Sequence, residues 1–235
     1  MFLTVGRHRW KGATVNDQRW QEVDDYVGAL FNLHDDELEA VLASSAQAGL
    51  PAINVAANQG KLLQLLAQST GARRVLEIGT LGGYSTLWLA RALPGEGELV
   101  TLEFDPTHAA VARSNVARAG RSSMVRVIEG AAGDLLAQMI DAKEAPFDFV
   151  FIDADKEGYP EYFALTMQLA HAGTMIVADN VVRAGAVADA NNEDPRVAGV
   201  RRFLDAVAAD ERVSATVLQT VGTKGYDGLA IILVL

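Results

Sequence analysis

The chain predicts an α/β protein: a doubly wound, mostly parallel seven-stranded sheet with an antiparallel C-terminal strand and an N-terminal helical cover. Three observations carry this expectation. From residue 73 onward, short apolar runs rich in Val, Ile and Phe alternate with helical segments. That is the rhythm of strands buried on both faces and joined by crossover helices. Residues 17–70 instead repeat apolar side chains at three- and four-residue spacing, the period of a helix face. The last two apolar runs are separated by a loop too short for a helix, so they are expected to pair antiparallel.

The elements follow in chain order. Residues 1–16, including Trp10, read as a flexible tail, and residues 17–235 as a single domain. Trp20, Val23, Tyr26, Val27, Leu30 and Phe31 mark one face of a first helix. Asp35 and Asp36 open a second, which Gly49-Leu50-Pro51 ends. A third runs from about Asn58 to Gln68. Strands are expected at 75–78, 99–104, 125–128, 147–152 and 174–178, then at 213–218 and 229–235, the last two joined by a loop over 222–228. Asp105-Pro106 and Asp194-Pro195 each place a capping carboxylate before a proline at the first helical position. Gly120 closes the first of these helices, and Trp88 reads as core.

Bulk properties narrow the function. The 235 residues carry a formal charge of −10, which argues against a nucleic-acid binder needing a basic face. No run reaches the ~18 apolar residues of a membrane span, and the start lacks the apolar core of a signal peptide. There is no cysteine, which excludes thiolate metal sites and fits a cytoplasmic address. The four histidines show no ligand spacing.

In doubly wound sheets, ligands sit beyond the carboxyl ends of the strands. Four strands end there in acids: Glu77, Glu103, Asp153 and Asp179. Gathered in a crevice, such carboxylates call for a cationic partner, and a sulfonium cofactor or a divalent metal would each serve. After the first strand comes Gly79-Thr80-Leu81-Gly82-Gly83, whose glycines permit a sharp turn and close approach to a ligand. Its spacing is not the G-x-G-x-x-G of dinucleotide sites. Glu103 suits the two hydroxyls of a ribose. Asp153, Asp179 and Asn180 offer three oxygen ligands on adjacent strand ends, suited to Mg²⁺, Mn²⁺ or Ca²⁺. Lys156, three residues past Asp153, suits a general base, since desolvation beside a cation favours the neutral amine. The plainer alternative is a surface lysine paired with Asp155 or Glu157.

At these residues the chain resembles the cation-dependent O-methyltransferases, the family of caffeoyl-CoA O-methyltransferase, with catechol O-methyltransferase a more distant relative. The resemblance rests on Val75-Leu76-Glu77-Ile78-Gly79 with Gly83-Tyr84-Ser85; on Asp153-Ala154-Asp155-Lys156 with Tyr159 and Tyr162; on Gly173 with Asp179-Asn180; and on Gly225-Tyr226-Asp227-Gly228. It implies a Rossmann-like methyltransferase fold, S-adenosyl-L-methionine as cofactor, a divalent cation with Mg²⁺ foremost, a small vicinal dihydroxy aromatic as acceptor, and a homodimer. It further implies that Glu77 holds the methionine amino end, that Val55, Gly79, Thr80 and Ser85 line the cofactor's path, and that Ala132 flanks the adenine. Glu103 would take the ribose, and Asp153, Asp179 and Asn180 the metal. Lys156 would deprotonate the acceptor, with Asp153 beside it in the reaction. Two segments depart from the family pattern: Arg183-Ala184-Gly185 where Trp-Ser-Gly is common, and Ala56-Ala57-Asn58 where Ser-Pro-Glu is common. Two rivals remain: a nucleotide-dependent oxidoreductase on a similar sheet, and a non-catalytic cofactor-binding scaffold.

Overall fold

The computed structural model describes residues 17–235; the tail expected over 1–16, with Trp10, lies outside the described residues. Seven strands form one sheet: β1 (Arg74–Ile78), β2 (Glu98–Glu103), β3 (Val125–Glu129), β4 (Phe147–Ile152), β5 (Ala170–Asp179), β6 (Val213–Gly222) and β7 (Gly225–Val234). Their order is β3-β2-β1-β4-β5-β7-β6. The first five are parallel, and β7 runs antiparallel to both its neighbours. The chain reverses direction across the sheet between β1 and β4, where a doubly wound fold opens its crevice.

Alternation along each strand divides the core. Leu76, Ile78, Val100, Leu102, Val150 and Ile152 pack on one side against α6 (Ala132–Asp141), α7 (Tyr159–Thr166) and α8 (Pro195–Ala209). Val75, Leu99, Phe149, Phe151 and Val177 pack on the other against α2 (Asp36–Gln47), α3 (Ala57–Ser69), α4 (Tyr84–Ala90) and α5 (Pro106–Arg118). The period-two side-chain alternation of a strand makes this division. Trp88 sits in the second layer, 3 % exposed, as expected.

The caps form where the sequence places them. Asp35 accepts the amide of Leu38, Asp105 those of Thr107 and His108, and Asp194 that of Arg196. Gly120 follows α5 at φ 67°. The expected loop over 222–228 is corrected: β6 extends to Gly222 and β7 begins at Gly225, leaving Thr223-Lys224 as the turn. Ladder pairing of Gln219, Thr220 and Val221 with Gly228, Asp227 and Tyr226 overrides their weakly apolar pattern. Likewise β5 starts at Ala170, ahead of Thr174, with a register shift against β4.

The N-terminal helix α1 (Asp17–Leu30) forms; Val27 packs against the core, but much of the apolar stripe is uncovered among the described residues. Val23, Tyr26, Leu30 and Phe31 are all exposed. Beside α1 lies β6, an edge strand on which Val217, Leu218 and Val221 are exposed too.

Candidate active site

A cavity of about 930 Å³ opens at the carboxyl ends of β1, β2 and β4. Its wall brings together most of the residues singled out in the sequence: Val55, Gly79, Thr80, Ser85, Glu103 and Ala132 on one stretch, Asp153, Lys156 and Asn180 on another. Glu77 and Asp179 stand one layer behind the wall.

The turn after β1 is shaped by backbone packing. Gly79 has φ 98°, and a Cβ there would lie 2.1 Å from the carbonyl oxygen of Asp153. No other residue permits β1 and β4 to end so close together. The next two amides, of Thr80 and Leu81, donate to Glu103 Oε2 at 3.1 and 2.8 Å, and the amide of Asp105 donates to Oε1 at 2.9 Å. Glu103 therefore fixes the turn as well as facing the cavity. A carboxylate has about four acceptor positions, so it retains capacity for a ligand hydroxyl.

Glu77 is fully buried. It accepts from Ser85 Oγ at 2.6 Å, Thr86 Oγ1 at 2.5 Å and Thr101 Oγ1 at 2.7 Å. Burial pushes its carboxyl up to about 7 despite these donors. The position expected to meet the cofactor directly thus reaches the cavity through Ser85, which does line it.

On the opposite stretch, Lys156 is not the surface lysine of the plainer reading. It is 7 % exposed. Its Nζ donates to Asp153 Oδ1 at 2.8 Å and to the Tyr159 hydroxyl at 2.6 Å. Neither Asp155 nor Glu157 takes it: Asp155 accepts from the Tyr162 hydroxyl and the Gly158 amide. The Tyr159 hydroxyl faces the carbonyls of Ile152 and Asp179, at 3.1 and 2.9 Å. Burial, then the charges of Asp153 and Asp179, hold that phenol well above its ordinary value, so it stays a neutral donor. Gly199 of α8 completes the setting: a Cβ there would lie 2.3 Å from the Lys156 carbonyl oxygen.

Asp179 accepts from the Asn180 amide and, through Oδ2, from Gln59 Nε2 of α3 at 2.6 Å. Burial, then the negative charge of Asp153, raise its carboxyl to about 7. A divalent cation relieves that repulsion, and two carboxylates with an amide carbonyl are the oxygen donors a hard cation takes. The residues fit such an ion. Among the described residues there is no group of three or more His, Cys, Asp or Glu with metal-ligand placement, so the fit depends on Asn180.

The wall residues Leu81, Tyr84, Phe104, His108, Arg183 and Arg196 had no role assigned from the sequence, although Leu81, Tyr84 and Arg183 stood in the segments singled out there. Gln59 and Tyr159, which hold Asp179 and Lys156, lacked an assigned role. Tyr159 stood in the quoted motif, and its spacing from Lys156 was the available signal. Nothing local marks Gln59, whose partner is distant in the chain.

The O-methyltransferase family model matches residues 32–233. The chain is 52 % identical to a catechol O-methyltransferase of Niastella koreensis, over 94 % of this chain and all of that one. It is 47 % identical to a catechol O-methyltransferase of Mycobacterium tuberculosis, over 91 % and 95 %. An O-methyltransferase from Bacillus cereus, solved in complex with SAH, superposes with a TM-score of 0.92 at 52 % identity, covering 94 % of this chain and all of that one. These matches set aside the oxidoreductase and scaffold alternatives, and the chain belongs to the O-methyltransferase family of S-adenosylmethionine-dependent enzymes.

Proposed function

We propose that this enzyme methylates an oxygen of a small vicinal dihydroxy aromatic, assisted by a divalent cation, with Mg²⁺ the first candidate and Mn²⁺ or Ca²⁺ alternatives. The observation that carries the reading is the arrangement of Asp153, Lys156 and Asn180 on the same cavity wall as the Gly79 turn and Glu103. S-adenosylmethionine, when bound, supplies a methyl group on a sulfonium, and a divalent cation on Asp153, Asp179 and Asn180 supplies acidification of the hydroxyls it holds.

The chain's own residues do the rest. Glu103 binds the ribose with the acceptor position its three amides leave free. Val55, Gly79, Thr80 and Ser85 line the cofactor's path, and Ala132 flanks the adenine. Glu77 fixes Ser85 from behind and so orients the methionine end. Asp153 serves both stretches of the wall. Lys156, held on the wall by Asp153 and Tyr159, takes up the acceptor's hydroxyl proton at Nζ. Gln59 keeps Asp179 turned toward α3. Aligning acceptor oxygen and methyl group is the larger part of the task, since positioning converts a bimolecular encounter into an intramolecular one.

The exposed stripe of Val23, Tyr26, Leu30 and Phe31 beside Val217, Leu218 and Val221 supports a homodimer in which a second copy covers it. We further read 17–235 as one functional unit with a cytoplasmic address and no nucleic-acid or membrane partner. The test of the chemistry is direct. The chain is incubated with S-adenosylmethionine and catechol-type acceptors, and products are weighed by mass spectrometry. EDTA should abolish methyl transfer, and Mg²⁺ or Mn²⁺ should restore it. Full activity after complete metal removal would overturn the cation's part.

A further inference from the structure

Arg183 has donors without a matching acceptor. Just past β5, Arg183, Ala184 and Gly185 take φ values of 55°, 53° and 89°. Two adjacent non-glycine residues in the left-handed region are strained, and such strain persists only where the surroundings enforce it. Here the enforcing group is Asp227, whose Oδ1 accepts the amides of Val182, Arg183 and Gly228 at 2.9, 2.8 and 3.0 Å. The turn places Arg183 on the cavity wall with Asn180, Lys156 and Asp153.

The guanidinium is not consumed there. Its Nη1 lies 3.8 Å from Asp227 Oδ2, beyond hydrogen-bond distance. Its Nε is buried with no partner. The other Lys and Arg side chains of the wall are matched. Arg196 is forked onto Asp194 at 3.0 and 2.7 Å, and Lys156 is on Asp153 at 2.8 Å. A buried N–H without an acceptor is costly, and native structures satisfy such groups with protein, water or ligand. A guanidinium presents parallel donors that match the two oxygens of a carboxylate.

Resting on the O-methylation reading above, we propose that the natural acceptor is a vicinal dihydroxy aromatic bearing a carboxylate, and that Arg183 receives that carboxylate. The cavity is shared with a nucleoside cofactor. The carboxylate therefore belongs on the ring or on a short substituent, where it lies near the hydroxyls held by Asp153 and Asn180.

The experiment compares three acceptors with the full chain, Mg²⁺ and S-adenosylmethionine: 3,4-dihydroxybenzoate, 3,4-dihydroxybenzamide and catechol. Wild type should favour the acid over the amide by about tenfold or more in kcat/KM, the worth of one charge-assisted pair. Arg183→Gln should bring that ratio to about one, chiefly through KM for the acid. Arg183→Lys, which keeps the charge and loses the fork, should fall between. SAH affinity and melting temperature are measured alongside. Amide and acid methylated equally by wild type overturn the proposal and leave the O-methylation reading intact. So does a loss shared by all three acceptors, or a fall in SAH affinity, which would assign Arg183 to structure or to the cofactor. No product from any acceptor, with or without cation, overturns both.

Discussion

The carboxyl edge of β1, β2 and β4 and the flank formed by α1 and β6 treat their side chains in opposite ways. At the edge, acids that an isolated strand would expose are buried and supplied with donors. Glu77 has three hydroxyls, Glu103 three amides, and Asp179 an amide and Gln59. On the flank, apolar side chains that a helix or strand normally buries stand in the open: Tyr26 is 67 % exposed and Phe31 66 %. The contrast teaches that the candidate site and the proposed dimer face depart from the polar-out, apolar-in rule in opposite directions. Buried acids suit a cationic ligand, and an exposed apolar stripe suits the second copy proposed above.

The comparison breaks most severely at Lys156. If the edge acids and their lysine form the reacting centre, Lys156→Ala should lower turnover by a factor on the order of 10²–10⁴. The defect should shrink as pH rises and solvent supplies the ionised acceptor. Rate–pH profiles with an acidic and a less acidic catechol measure this; equal rates for variant and wild type at every pH would remove Lys156 from the chemistry.

Next in size is Glu103→Ala. It removes the ribose acceptor, and each hydrogen bond to a charged group is worth about 1.5–3 kcal/mol. Calorimetry should show cofactor affinity falling at least about tenfold. The melting temperature should fall as well, because the amides of Thr80, Leu81 and Asp105 lose their acceptor. Glu103→Gln should spare more of the folding than of the binding.

The flank is tested by charge. Leu30→Glu with Val221→Glu should shift sedimentation toward monomer while the melting temperature of the dissociated chain barely changes, as exposed positions usually alter stability by only about 0.5 kcal/mol. An unchanged sedimentation coefficient would mean that no second copy covers this face.

The last test concerns Glu77 and pH. Its folded-state carboxyl is raised from 4.5 to about 7 by burial. Between those values the folded protein holds a proton that the unfolded chain releases, so its contribution to stability is present below 4.5 and is lost as pH rises through 7. The slope for one proton is at most about 1.4 kcal/mol per pH unit. Denaturant unfolding of Glu77→Gln should show a flatter decline from pH 5 to 8, and a decline as steep as wild type would mean Glu77 ionises normally.

Legibility in the sequence followed the range of the interactions. Strands β1 to β4 were readable because their apolar runs are short, β-branched and bounded by turn residues, and local chemistry decides them. The caps at Asp105 and Asp194 were readable for the same reason. The turn at Thr223-Lys224 was not, since ladder partners rather than composition extend β6 and β7. Within the site, the acids and Lys156 were visible because they stand at strand ends. Glu77's placement behind Ser85 was not visible, because it depends on Thr101 of the neighbouring strand. Arg183 was noticed only as a departure from a pattern; its unmatched Nε appears once Asp227 and Asp194 have taken their other partners. The stripe on α1 was read as a helix face, but its period could not say that Val23, Tyr26, Leu30 and Phe31 stand exposed among the described residues.

Gly199 sets a dimension of the site by having no side chain. Helix α8 rests there on the peptide of Lys156 and Glu157, with no room for even a methyl group. A rotamer can yield to a bulkier neighbour, whereas a peptide plane can only be pushed. The position therefore works as a mechanical stop that fixes the lysine's depth from behind. Under the proposed O-methylation, one absent carbon on α8 would thus set how far Nζ stands from the acceptor's hydroxyl.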